Sequence, residues 1–148
     1  MYSDRPFVIY LAGKMGGLTK QEMNYWRTDL SQKIFRLIRD TSCRDVKIVN
    51  PVEFYNTEEQ KHKTDKEYVR WELRSAMNAD LVVADASDSV GTMAEVTAAH
   101  LSGKPIVLYK RDNEGSIHPF MEELADRVFD QDEMGALAEF IYRYYIKI

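Results

Sequence analysis

The sequence predicts an α/β fold, a parallel sheet covered by helices on both faces. Two observations carry this. Short, continuously apolar runs rich in β-branched residues alternate along the whole chain with stretches whose apolar residues recur at helical spacing. The runs do not alternate polar with apolar, which marks strands buried on both faces, and such strands are parallel. The length agrees: 148 residues suit one domain, 1–148, large enough to bury roughly two thirds of its unfolded surface.

The elements follow in order. Phe7-Val8-Ile9-Tyr10-Leu11-Ala12 is a buried strand ended by Gly13. Thr19, with Glu22 three residues on, forms a capping box for a helix carrying Met23, Trp26, Leu30, Ile34, Leu37 and Ile38, running to about Asp40. Val46-Lys47-Ile48-Val49 is a second strand, stopped by Asn50-Pro51. The polar stretch from Glu53 to Thr64 reads as a mobile loop. Asp65 opens a helix carrying Tyr68, Val69, Glu72, Leu73, Ala76 and Met77, and Leu81-Val82-Val83-Ala84 is a third strand. A loop over Ser87 to Val90 precedes a helix from Gly91 to Ser102. The turn Gly103-Lys104-Pro105 introduces a fourth strand, Ile106 to Tyr109. A short helix over Pro119 to Ala125, an edge strand at Val128-Phe129 and a closing helix from Asp132 to Tyr145 complete the chain.

Right-handed crossovers arrange five such strands in the flavodoxin-like order 2-1-3-4-5. Ligands of these sheets bind at the carboxyl ends of the strands, near the switch point between strands 1 and 3. The loops there are Gly13 to Leu18 and Asp85 to Gly91, and function is to be sought in them.

Composition removes several classes. Twenty basic against 24 acidic residues give a net charge of −4, without the basic excess of a nucleic-acid binder. A single cysteine, Cys43, can form neither an internal disulfide nor a thiolate zinc cage. No apolar run approaches the ~20 residues that span a bilayer. The segment Met1 to Pro6 does not read as a secretory signal, so a cytoplasmic protein is expected. His62, His100 and His118 are too scattered for a metal centre, and neither metal nor cofactor is expected. Gly13-Lys14-Met15-Gly16-Gly17 fails the phosphate-loop pattern, because position 8 is Val and Met15 follows the lysine. Asp112-Asn113-Glu114-Gly115 reads as a plain turn.

The stretch from Ala79 to Glu95 is different. A buried strand exits at Asp85 into the small and acidic residues Ala86-Ser87-Asp88-Ser89; Gly91-Thr92 then open a helix with Glu95 in its first or second turn. The helix dipole favours a carboxylate there, so Glu95 is expected to be ionised at neutral pH and able to act as a nucleophile. The plain alternative is a good early-helix residue without chemistry.

With Tyr10-Leu11-Ala12-Gly13 on the first strand, this stretch resembles the nucleoside 2-deoxyribosyltransferase family, whose branches include the 2′-deoxynucleoside 5′-phosphate N-hydrolases. The likeness runs from the first strand to about Tyr109. It implies that Glu95 attacks the anomeric carbon of a deoxyribose, that the base leaves, and that a second base (in a transferase) or water (in a hydrolase) resolves the glycosyl-enzyme. It implies further roles. Glu72 stands where the family usually has aspartate and would protonate the leaving base; as a solvated helix glutamate it would pair with Lys66 or Arg70. Tyr10 would hold the carboxylate or the sugar, or else be an ordinary core tyrosine. Asp80, at the far end of the third strand, is left out. Ser89, six residues before Glu95, suits a 5′-phosphate where nucleoside transferases carry an acid; Asp88 beside it would restore one after a one-residue shift. Gly13, Lys14, Met15 and Gly16 would border phosphate or base, with Asp85, Gly91 and Thr92 completing the substrate loop. His118 would reach a neighbouring subunit's site. Trp26, Trp71 and Met93 would wall the base or be core. The implied partners are a nucleoside or nucleotide, a nucleobase and a second copy of the chain, in a homodimer or larger homo-oligomer. Deoxyribosyl transfer within nucleotide salvage is the leading expectation. A monophosphate N-hydrolase and a non-catalytic nucleotide sensor are the alternatives, because Glu72 replaces aspartate and Val96-Thr97 stand where many relatives have glycine.

Overall fold

The structure, a computed structural model, describes residues 5–39, 41, 43–54, 64–111 and 117–147. Strands β1 (Phe7–Ala12), β2 (Val46–Val49), β3 (Leu81–Asp85), β4 (Ile106–Tyr109) and β5 (Arg127–Phe129) form one sheet in the order β2-β1-β3-β4-β5. Every pairing is parallel. Helices α1 (Lys20–Ile38), α2 (Asp65–Asn78), α3 (Val90–Leu101), α4 (Pro119–Leu124) and α5 (Met134–Ile141) connect and cover the strands. This is the flavodoxin-like α/β topology expected from the alternation of patterns.

Period-two side-chain alternation sorts the core into two layers. Ile9, Leu11 and Val83 point to one face, against Trp26, Leu30 and Ile34 of α1 and Leu137 and Ile141 of α5. Tyr10, Ala12, Val82 and Ala84 point to the other, against Ala76 of α2, Val96 and Ala99 of α3, and Met121 of α4. Tyr10 therefore belongs to the α2–α3 side of the sheet, in register with Val49 on β2 and Val82 on β3.

The helix starts obey local chemistry. The Thr19 hydroxyl accepts from the Glu22 amide and the Glu22 carboxylate accepts from the Thr19 amide, both at 3.1 Å, closing the expected capping box. The Thr64 hydroxyl caps α2 and the Ser89 hydroxyl caps α3. Asp80 sits at the amino end of β3, where it takes both nitrogens of Arg5 at 2.6 and 3.1 Å and the Val8 amide at 2.8 Å. It fastens the edge of the sheet opposite the candidate site.

Some boundaries differ from expectation. β3 runs on to Asp85, and α3 begins at Val90. The closing helix is not continuous: a 3₁₀ turn (Gln131–Glu133) precedes α5, and a π turn (Tyr142–Ile146) follows it. The wider last turn lets Tyr145 stack on Phe7, with ring centroids 6.1 Å apart, and lets Ile146 enter the core. That packing outweighs the straight helical repeat, although Tyr144 remains largely exposed. Most of the loop expected over Glu53 to Thr64, the turn at 112–115 and His62 lie outside the described residues.

Candidate active site

The exit of β1 is the tightest point of the site. A Cβ on Gly13 would lie 3.0 Å from Arg27 Nη2, 3.0 Å from Trp26 Cζ2 and 3.1 Å from Asp85 Cβ, so any larger residue here forces its neighbours to give by a few tenths of an ångström. Arg27, fully buried on α1, reaches across the end of the sheet. Its Nε donates to the Leu11 carbonyl at 3.2 Å, its Nη2 to the Gly13 carbonyl at 3.1 Å and its Nη1 to the Met23 carbonyl at 2.5 Å. The guanidinium lies 4.9 Å from the Trp26 ring centroid. Asp85, fully buried at the end of β3, accepts from the Ser87 amide at 3.1 Å and the Ser87 hydroxyl at 3.0 Å, and pairs with Arg111 at 3.5 Å. It folds the β3–α3 loop back on the strand. Burial raises its carboxyl above the ordinary value, and Ser87 and Arg111 offset part of that rise.

On the opposite face, β1, α2 and α3 bring Tyr10, Glu72 and Glu95 together. Glu95 is 5% exposed. Its carboxyl is pushed up to about 8, first by burial and then by the charge of Glu72; the Tyr10 hydroxyl and the Arg27 guanidinium pull it down. The Glu72 carboxyl is also raised by burial, with the Tyr68 hydroxyl and Arg27 acting against that. Tyr10 is raised by burial and by both carboxylates. The two glutamates thus behave as a pair of like charges held out of water. The Tyr10 hydroxyl lies near enough to Glu95 to favour its ionised form, yet no hydrogen bond of ordinary geometry joins them. Among the described residues, five buried side-chain polar atoms lack a partner: Tyr10 Oη, Glu72 Oε1, Thr92 Oγ1, Glu95 Oε2 and Trp26 Nε1. Four of the five belong to this cluster, where Thr92 lies one turn before Glu95 on α3.

The expectation that helix position alone keeps Glu95 ionised is corrected here. Ser89 is the cap of α3, so Glu95 is the sixth residue of the helix, past the first turn in which the dipole acts. Desolvation outweighs it. Glu72 is likewise no solvated glutamate paired with Lys66 or Arg70: it is half-buried and faces Tyr10, Tyr68 and Glu95.

Beside this cluster, the β3–α3 loop and α4 enclose a cleft of about 550 Å³ lined by residues including Ser87, Asp88, Ser89, Met93, His118 and Phe120. Asp88, Ser89 and His118, singled out separately in the sequence, meet there. Glu95, Glu72 and Tyr10 do not line this cleft.

Residues 6–113 match the family described as nucleoside 2-deoxyribosyltransferase-like. The chain belongs to this family. A search of curated protein sequences gives no match. Among solved structures, a conserved protein from Enterococcus faecalis V583 superposes with a TM-score of 0.70 at 18% identity, covering 94% of this chain and 99% of that one. The 2-deoxyribosyltransferase of Bacillus psychrosaccharolyticus gives 0.62 at 18% identity, covering 86% and 90%. The CMP N-glycosidase BcmB of Clostridium botulinum gives 0.57 at 13% identity, covering 93% and 98%. At these identities the superpositions establish the shared fold. Membership of the deoxyribosyltransferase-like family gives the coarse activity, chemistry at a nucleoside N-glycosidic bond.

The remaining residues fall into place around that chemistry. Lys14 and Met15 are partly exposed and Gly16 is exposed; Met15 Sδ lies 3.9 Å from the Tyr68 hydroxyl, which also donates to the Pro51 carbonyl at 3.2 Å. Gly91 is exposed, Thr92 buried. The His118 imidazole caps α4 by accepting from the Phe120 amide at 3.1 Å. Trp26 is wholly core, while Trp71 is half-buried against Phe54 and Tyr68. Two functional neighbours escaped the sequence reading. Arg27 occupies a position on the apolar stripe Met23, Trp26, Leu30, Ile34, and a charge on such a stripe is the signal that marks it. Tyr68 lies one turn before Glu72, and its hydroxyl gave no signal. Among the described residues one cluster could offer three metal ligands, Asp130, Asp132 and Glu133; all are exposed, and Glu133 caps its own turn.

Proposed function

We propose that the chain cleaves the N-glycosidic bond of a 2′-deoxynucleoside or its 5′-monophosphate and transfers the deoxyribosyl group between nucleobases. A Glu95 carboxylate oxygen attacks C1′. The bond from C1′ to the base nitrogen breaks, its electron pair goes to the base, and the base takes the proton held by Glu72. A second base then attacks C1′, returning a proton to Glu72 and releasing Glu95 as carboxylate. Retaining glycosyl transfer requires this division between an ionised nucleophile and a protonated acid. The two carboxyls repel each other and share one proton; without substrate Glu95, pushed up to about 8, holds it, and the reaction draws on the minor form in which the proton sits on Glu72 and Glu95 is ionised.

The observation that carries the reading is the grouping of unpartnered buried polar atoms on Tyr10, Glu72, Thr92 and Glu95. Buried polar groups in native proteins are nearly always bonded, and a cluster of exceptions calls for a polar ligand. A deoxyribose, with its ring oxygen beside C1′ and its 3′- and 5′-hydroxyls, supplies such bonds. The adjoining cleft then takes the 5′ end, and a second copy of the chain, met near His118, completes it.

A second reading, hydrolysis of a deoxynucleoside 5′-monophosphate, is favoured by Ser89. It lines the cleft at the start of α3, where a serine and the helix amides suit a phosphate. Incubating a panel of deoxynucleosides and monophosphates with a labelled acceptor base separates the readings: exchanged nucleoside marks transfer, free sugar marks hydrolysis. Glu95→Gln is expected to abolish both while remaining folded. Turnover within tenfold of wild type by a folded Glu95→Gln protein overturns the nucleophile. Nucleotide binding without base release by the wild type leaves only a sensor.

A further inference from the structure

We propose that Arg111 is a positioning residue for substrate: a clamp at the carboxyl edge of the sheet that, through Asp85, holds the Ser87–Ser89 side of the cleft in place. The proposal rests on the reading of that cleft, above, as the seat of the substrate's 5′ end. It starts from a buried charge. Asp85 ends β3 with no exposure, in register with Tyr109 on β4. With Leu81, Val83 and Tyr109 it alternates onto the face covered by α1, opposite to Tyr10 and α3. A carboxylate taken out of water there needs a cation and a bond at each oxygen. Its Oδ1 accepts from the Ser87 amide at 3.1 Å and its Oδ2 from the Ser87 hydroxyl at 3.0 Å. Arg111 Nη1 stands 3.5 Å from Oδ2, and among the described residues it is the cation paired with Asp85.

The guanidinium is held from its other side as well. Nη2 donates to the Glu22 carbonyl at 2.7 Å, and Cζ lies 5.2 Å from the centroid of the Tyr25 ring. Both partners sit in the first turns of α1, which the Thr19–Glu22 capping box fastens. Arg111 itself leaves β4 two residues after Tyr109, whose carbonyl accepts from the Ala86 amide at 2.9 Å. One side chain thus joins the start of α1, the exit of β3 and the exit of β4. At 15% side-chain exposure, against none for Asp85, the pair is little screened. That sets it apart from the open helix pairs Lys33–Asp29 and Arg143–Glu139, which water and salt weaken.

The consequence falls on the cleft. Ser87 and Ser89 both line it, and Ser89 caps α3. Arg111 favours the ionised form of Asp85, and an ionised carboxyl accepts at both oxygens at once. A bend pinned twice at Ser87 fixes where Ser89 stands two residues on, and with it the wall that meets the substrate. Glu95 and Glu72 lie on α3 and α2 and do not line the cleft. Loss of the clamp therefore weakens binding and spares the chemical step. A residue that served the fold alone would lower stability and leave binding untouched.

The test compares KM and kcat for base release, with the most active donor of the panel; for a protein that binds without turnover, Kd by calorimetry takes the place of KM. Arg111→Met keeps much of the bulk and removes the charge. It is expected to raise KM about tenfold, the scale of one hydrogen bond to a charged group, with kcat within about threefold of wild type. Arg111→Lys returns a cation to Asp85 and is expected to recover most of that loss. In an Asp85→Ala background, where the path to Ser87 is already cut, Arg111→Met is expected to change KM by less than about twofold. An unmoved KM in folded Arg111→Met, a loss that falls on kcat alone, or the same loss in both backgrounds overturns the proposal. If Arg111→Met does not fold, Asp85→Ala decides: KM raised about tenfold with kcat kept supports the clamp, and an unmoved KM overturns it. Glu95→Gln separates the levels: if that variant stays active, the nucleophile assignment fails and the KM comparison stands, whereas an inactive Glu95→Gln with KM unmoved by Arg111→Met sinks the clamp alone. A wild type that neither turns over nor binds any member of the panel defeats the functional reading, and the clamp with it.

Discussion

Burial of Glu95 costs the fold stability, and the cost depends on pH. Replacing it by glutamine, similar in shape and never charged, exposes that cost. The carboxyl is raised from 4.5 to about 8 in the folded protein, so the folded state holds the proton more tightly than the unfolded chain does. Such a group supports the fold below the unfolded value and loses that support as pH rises toward the folded one. At pH 7 the unfolded chain has ionised this glutamate while the folded protein keeps it mostly protonated. Each pH unit spent between 4.5 and 7 costs about 1.4 kcal/mol, roughly 3 kcal/mol in all. About 1 kcal/mol of this is already present at pH 5. The stability of Glu95→Gln relative to wild type is therefore expected to rise by roughly 2 kcal/mol between pH 5 and pH 7. Urea unfolding followed by tryptophan fluorescence, without ligand, at several pH values across that range reads it out directly. A difference that stays flat with pH, or shrinks, refutes the claim that desolvation rather than helix position sets the charge of Glu95.

Two further outcomes follow from the same geometry. Gly13→Ala is expected to cost about 1–3 kcal/mol in thermal or urea unfolding, because its Cβ meets Trp26 and Asp85 as well as Arg27; an unchanged midpoint would show that the strand exit can relax. Tyr68→Phe removes a hydroxyl that favours ionised Glu72, so the alkaline limb of the kcat profile, where the acid is lost, is expected to move up by about half a unit to one unit. A limb that stays or moves down argues against Glu72 as the acid.

The fold was legible almost to the residue because it rests on patterns that are local and redundant. The β1 and β4 runs are wholly apolar, and Thr19 with Glu22 announces α1. The parallel topology then follows from the alternation of strand with helix. The end of the chain was less legible, because the π turn at Tyr142–Ile146 depends on Tyr145 finding Phe7, a partner from the other end of the sequence. The candidate site was legible in part for the same reason. Asp88, Ser89 and Glu95 lie on one continuous loop and helix, so their closeness is a local fact. The charge state of Glu95 is not local: it is fixed by Glu72 on another helix, by Arg27 on a third, and by how little water reaches all of them. Arg27 was hidden because sequence shows an arginine on a helix, not the three carbonyls that take it inside.

The same dryness bears on what would resolve the proposed glycosyl-enzyme. Transfer succeeds only if, between departure of one base and arrival of the next, C1′ meets no water in position to attack. Hydrolysis makes no such demand. Here the glutamate proposed as nucleophile is 5% exposed and the tyrosine beside it has no exposure at all, at the standing cost in stability worked out above. Natural proteins retain a strained, costly site where function needs it. On the proposed function, the desolvation that weakens the fold at neutral pH would also favour exchange of bases over release of free sugar.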